Sequence, residues 1–173
     1  VLGGMSQGGF LSMRATLLSP TRVRALVLVD TEGAALGIEE KTLFRALYDS
    51  ALEDGMSGPV GEMLTSFLFA PNYQGIKFWR GKWNAKNPEH WSEAAECLFE
   101  RDDIDHRLGE IKCPALVFHG DLDAAIPIER GEKMSQLLGG ETTFHTVEGA
   151  GHTANLEKPE IVNPILLNFL ASL

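Results

Sequence analysis

Apolar positions change their spacing twice along the chain, and the changes divide it into three stretches. In the first, Val1-Leu2 is a short apolar start. Residues 7–18 carry Phe10 and Leu17 or Leu18 at helical spacing, with Arg14 between them, and stop at Ser19-Pro20. Residues 23–29, Val-Arg-Ala-Leu-Val-Leu-Val, are apolar at nearly every position and end in Asp30-Thr31. This predicts a helix followed by a strand of a parallel sheet buried on both faces. In the second stretch, residues 32–110, only helical periods occur. Residues 39–54 place Leu43, Leu47 and Ala51 beside Phe44, Tyr48 and Leu52 and stop at Gly55. Residues 63–69 and 76–83 predict two shorter helices, and Asn87-Pro88 pairs an N-cap with a proline at the first helical position, ahead of the stripe Trp91, Ala94, Ala95, Leu98, Phe99. In the third, sheet spacing returns after Cys113-Pro114. A short buried strand is expected over 115–118, a helix over 128–138 closed by Gly139-Gly140, and a β-branched strand over 142–147. A last helix follows over 159–170, with Pro164 inside it, where a missing backbone donor predicts a bend. The fold class is therefore α/β, with a parallel sheet built from residues 1–31 and 111–173 and a helical lid inserted over 32–110.

Composition narrows the partners. The formal net charge is −9, from 15 Lys and Arg against 24 Asp and Glu, so the average surface repels phosphate backbones and anionic lipid. Neither nucleic acid nor membrane is an expected partner. No apolar run approaches the ~20 residues of a membrane span, and Cys97 and Cys113 are too few for a disulfide framework. Reduced thiols in a cytoplasm are the expectation. No cluster has metal-ligand spacing, and neither metal nor cofactor is called for.

The candidate chemistry starts at Gly4-Met5-Ser6-Gln7-Gly8-Gly9, a Gly-x-Ser-x-Gly pattern between an apolar dipeptide and a helix. A serine on a sharp strand-to-helix turn has its Oγ pushed into a cleft, and glycines two before and two after it remove the Cβ atoms that would collide. Two more polar side chains stand just beyond later strands: Asp123, in His119-Gly120-Asp121-Leu122-Asp123, and His152, after Gly149-Ala150-Gly151. That edge is where open α/β sheets bind ligands. The three come in the order Ser, Asp, His.

With these motifs, together with Pro127, Asn155, Glu157, Pro159 and Glu160 at their places, the sequence resembles the carboxyl-terminal two thirds of an α/β-hydrolase with a helical cap. Within that family it looks most like the enol-lactonase, esterase and cofactor-free haloperoxidase group. The resemblance implies a serine hydrolase of carboxylic esters or lactones, with Ser6 as nucleophile, His152 as base, Asp123 as the acid orienting it, and the backbone N–H of Gln7 as one oxyanion donor. It also implies that the family's amino-terminal strands are missing. The second oxyanion donor, which the family takes from a loop after its third strand, would be missing with them. On that reading Val1-Leu2 ends a strand already under way, its open edge invites self-association, and the segment alone is a poor catalyst.

Asp121, two residues from Asp123, and Asp30, at the end of another strand, compete for the acid. His119 reads as a packing residue at a strand end, and His90, His106 and His145 as surface residues. The aromatics of the insertion, among them Trp79, Trp83 and Trp91, read chiefly as its own core. A carbon–carbon bond hydrolase with the same triad, or a non-catalytic hydrolase-like binding protein or fragment, remains possible beside the ester hydrolase.

Overall fold

The computed structural model describes residues 1–56, 58–84 and 91–173. Four parallel strands, β1 (Leu2–Met5), β2 (Leu26–Val29), β3 (Ala115–Gly120) and β4 (Thr142–Val147), pair in sequence order. Leu2 stands against Leu26, Leu26 against Ala115, and Ala115 against Thr142, so all four carboxyl ends share one edge. Helix α1 (Gln7–Leu18) joins β1 to β2, and α6 (Ile128–Leu137) joins β3 to β4. After β4 come the short α7 (Ala154–Glu157) and α8 (Pro159–Ser172). Between β2 and β3 lie α2 (Ile38–Asp54), α3 (Pro59–Leu68), α4 (Ile76–Asn84) and α5 (Ser92–Phe99), then a 3₁₀ turn over Asp105–Glu110.

The unbroken apolar run of β2 is explained by burial on both sides. Leu26 and Leu28 face a cluster with Met13 of α1, Met134 of α6, Leu108 and Ile111. Val27 and Val29 face the opposite cluster with Leu116, Phe118, Val147 and Val162 of α8. Alternation along a strand thus builds two cores, one per face, as a parallel sheet covered on both sides requires. A smaller cluster of Ala51, Met56 and Val60 belongs to the helices between β2 and β3.

Several boundaries differ from the pattern. The strand expected from residue 23 starts at Leu26, because Val23 closes a 3₁₀ turn over Pro20–Arg22 with its N–H on the Pro20 carbonyl. Strand β3 continues through His119 and Gly120, which stay in register with Thr146 and Val147. Helix α3 starts four residues early, at Pro59, where a residue without an N–H loses nothing. Helix α8 runs on through Pro164 to Ser172. The Asn87-Pro88 cap and His90 lie outside the described residues. His106 is exposed, but His145, expected at the surface, is half-buried and stacked on Phe118 with ring centroids 5.7 Å apart. Among the described residues no helix is long and apolar enough to cross a membrane.

Candidate active site

Ser6 occupies the turn between β1 and α1 with φ 51° and ψ −122°, a conformation that non-glycine residues avoid and that persists only where surrounding structure enforces it. The enforcement is visible. The Ser6 N–H bonds the Val29 carbonyl at 2.9 Å, and its own carbonyl takes the Thr31 hydroxyl at 2.7 Å and the N–H groups of Gly9 and Phe10. The glycines have steric roles: a Cβ on Gly4 would lie 2.1 Å from the Gly8 carbonyl carbon, and one on Gly9 would lie 2.6 Å from the Thr31 methyl. The Gln7 side chain donates to the Ala94 carbonyl of α5 at 2.9 Å, which ties the start of α1 to the helices above the sheet edge.

Asp123 and His152 meet. The Nδ1–H of His152 bonds Asp123 Oδ2 at 2.8 Å, with both side chains almost wholly shielded from solvent. Burial alone would raise the Asp123 carboxyl, but bonds from His119, His152 and the Ile126 N–H outweigh it and bring it down to about 2. Its Oδ1 accepts the N–H groups of Ala125 and Ile126 at 2.8 and 2.9 Å. The histidine loop is fixed by Glu157, whose carboxylate accepts the Gly151 N–H, the Thr153 hydroxyl and the Ala70 N–H. Ser6, Gln7 and His152 open on one cavity of about 310 Å³, otherwise lined mainly by apolar side chains of α2, α3 and α5 such as Leu47, Phe67 and Leu98.

The two competing acids are engaged by backbone N–H groups. Asp121 is exposed and accepts the Gly149 N–H at 2.7 Å. Asp30, fully buried with φ 47°, accepts the Gly120 N–H at 2.8 Å and the Ala154 N–H at 2.9 Å. It thereby locks the end of β2 to the acid loop and to the start of α7. Burial raises its carboxyl to about 6 even though both N–H bonds and the nearby His152 and His119 oppose the rise.

The pattern of the chain does not reveal two other features. Glu32 and Arg101 form an ion pair with both side chains 2% exposed, and both line the cavity. Arg130 reaches Glu32 at 3.4 Å and Glu40 at 2.6 Å, extending the network to α2 and α6. Burial pulls Glu32 and Arg101 toward their neutral forms, and each opposes that pull on the other. The position of Glu32 just past β2 is a sequence signal, but its partner is 69 residues away. The second feature is His119, which does more than fill space, since its Nε2 lies 3.2 Å from Asp123 Oδ2. The spacing His119-x-x-x-Asp123 was its only trace in the sequence.

Asp30, His119 and Asp123 bring donor atoms within 4.8 Å of one another, the one such trio among the described residues. The Asp30 carboxylate accepts the Gly120 and Ala154 N–H groups, and that of Asp123 accepts the Ala125 N–H and faces His119.

The family model described as alpha/beta hydrolase fold matches residues 1–159. Among curated relatives, the chain is 28% identical to a 2-hydroxy-6-oxo-6-phenylhexa-2,4-dienoate hydrolase of Comamonas testosteroni, over 98% of this chain and 62% of that protein. Among solved structures, a thermophilic esterase from Thermogutta terrifontis superposes with a TM-score of 0.88 at 27% identity, covering 98% of this chain and 64% of the other. The enol-lactonase from Burkholderia xenovorans LB400 superposes with a TM-score of 0.83 at 20% identity over 98% and 64%, a likeness of fold. The chain thus spans 62% to 64% of the length of these relatives.

Proposed function

The chain belongs to the α/β-hydrolase fold family, and from that premise we propose that it acts as a serine hydrolase of neutral carboxylic esters or lactones, with Ser6, His152 and Asp123 as its catalytic residues. The observation carrying this reading is the strained Ser6 turn opening on the same apolar cavity as a histidine already bonded to a buried carboxylate.

The chemistry follows from the hydrogen bonds. A neutral hydroxyl is a weak nucleophile until a base takes its proton. Because Asp123 engages Nδ1–H, the free nitrogen of His152 is Nε2, the one that can accept the Ser6 proton. Attack on the ester carbonyl carbon puts a negative charge on its oxygen, and the donor we assign to it is the backbone N–H of Gln7, the first residue of α1. Losing one oxyanion donor typically raises a barrier by about 2.7–4 kcal/mol, so this N–H is a main term. Collapse expels the alcohol, which takes the proton back from His152. Water, deprotonated in turn by His152, then attacks the Ser6 ester and releases the acid.

Carbon–carbon bond hydrolysis is the second reading, favoured by the curated dienoate hydrolases. The cavity speaks for the ester. A dienoate carries a carboxylate, and among the described residues the one Arg or Lys lining the cavity, Arg101, is already neutralised by Glu32. Burying a substrate anion there without a free cation is unfavourable. We therefore propose that residues 32–110 act as a lid that shelters an apolar acyl or alcohol group. Short and medium aryl esters and simple lactones, tested beside a 2-hydroxy-6-oxo-dienoate, should give the higher kcat/KM by at least about tenfold. A preference for the dienoate overturns the ester assignment.

A further inference from the structure

One oxygen of Asp123 serves two imidazoles. His152 Nδ1 lies 2.8 Å from Oδ2, and His119 Nε2 lies 3.2 Å from the same atom. We propose that His119 is a positioning residue for the proposed Ser6–His152–Asp123 group: it holds the Asp123 carboxylate in place and sets how strongly that carboxylate pulls on His152. This rests on the functional reading above.

The tautomer of His119 is decided by its second partner. The Ile126 carbonyl, 2.9 Å from Nε2, can only accept, so Nε2 carries the proton, with Asp123 Oδ2 3.2 Å from the same nitrogen. The ring is completely buried. It stacks on Phe144 of β4 at 6.4 Å between centroids. Against α6 it meets Gly131, where a Cβ would lie 2.2 Å from Nδ1. Only a glycine leaves room for the ring, and Nδ1 has no hydrogen-bond partner among the described residues. The charged groups around it are Asp123 on its own loop and Asp30 from the end of β2, while α6 presents Gly131 and β4 presents Phe144. Burial disfavours a charged His119, but the bonds to Asp123 and Ile126 outweigh it and raise its proton affinity.

Four donors thus saturate the Asp123 carboxylate: two backbone N–H groups on Oδ1 and two imidazoles on Oδ2. Removing the His119 donor leaves Oδ2 to His152 alone. The remaining bond tightens, and the imidazolium that forms when Ser6 is deprotonated gains stability, so the reactive state of Ser6 is reached at higher pH. A residue that merely filled the space at the end of β3 would affect stability and neither of these properties.

Three variants separate the two roles. His119→Gln can place an amide N–H near the Nε2 position, His119→Phe keeps the ring without a donor, and His119→Asn stops short of Asp123. The first readout needs no turnover: the low-field NMR resonance of the His152 Nδ1 proton. The second is the pH midpoint of Ser6 reaction with a fluorophosphonate. His119→Phe should move the resonance further downfield and raise the midpoint by about half a unit or more, and His119→Gln should restore both most of the way. If His119→Phe does not fold, His119→Asn takes its place with the same expected shifts. Unchanged values in the donor-less variant, or equal shifts in it and in His119→Gln, overturn the proposal. A wild-type chain that takes no label yet shows the NMR contrast overturns the hydrolase reading and upholds this one.

Discussion

Replacing Asp123 by asparagine is expected to lower Ser6-dependent turnover by about 10⁴-fold while leaving a folded protein. The amide keeps the shape of the carboxylate, and its oxygen can still accept the Ala125 and Ile126 N–H groups. Its NH₂ then faces the nitrogens that the second oxygen served, His152 Nδ1 and His119 Nε2. Nδ1 can no longer donate, so the His152 proton moves to Nε2, the nitrogen that must accept from Ser6. Turnover of the best ester, with circular dichroism as the control for folding, measures this. A loss of less than about tenfold would mean that another carboxylate orients His152. Asp30 would be the first to test, since it is buried nearby and its charge acts on both histidines.

The second large effect concerns stability. Arg101→Met should destabilise the fold by about 3–5 kcal/mol, because it strands the Glu32 carboxylate in the interior with the partly exposed Arg130 as its remaining counter-charge. The pair itself is worth little: two charges withdrawn from water gain from each other about what they lose in hydration. Glu32→Leu combined with Arg101→Met should therefore recover most of the loss, a non-additivity that urea denaturation of the two singles and the double reads directly. A single variant as stable as the wild type would show that Glu32 is solvated or protonated in the folded state.

The fold was readable where local pattern and burial agree. Leu26 to Val29 are apolar throughout because both faces of β2 are covered, and no helical period could be mistaken for that run. Ser6 could be singled out because one steric demand of the turn falls on a glycine at a fixed offset, Gly4, where a Cβ would run into the Gly8 backbone; the demand expected at Gly8 is absent, since a Cβ there meets open space, and falls on Gly9 instead. The meeting of Asp123 with His152 was foreshadowed by their places past β3 and β4, which parallel pairing brings to one edge. What escaped were interactions that leave no periodic trace. Arg101 finds Glu32 across 69 residues, and nothing in either neighbourhood names the other. Asp30 competed with Asp123 on sequence position, and only the structure shows its carboxylate spent on the Gly120 and Ala154 N–H groups. His119 was read as packing because a histidine at the end of a buried strand usually is. Its bond to Asp123 depends on the loop turning back over four residues.

Ser6 acts here as a nucleophile activated by His152, and that proposal is open to a chemical test. Treating the protein with a fluorophosphonate and mapping the adduct by peptide mass spectrometry tests it directly. A single adduct is expected on the peptide bearing Ser6, absent from Ser6→Ala and slowed by about 10²-fold or more in His152→Ala. A folded protein that takes no label at Ser6, or labels at the same rate without His152, would contradict it.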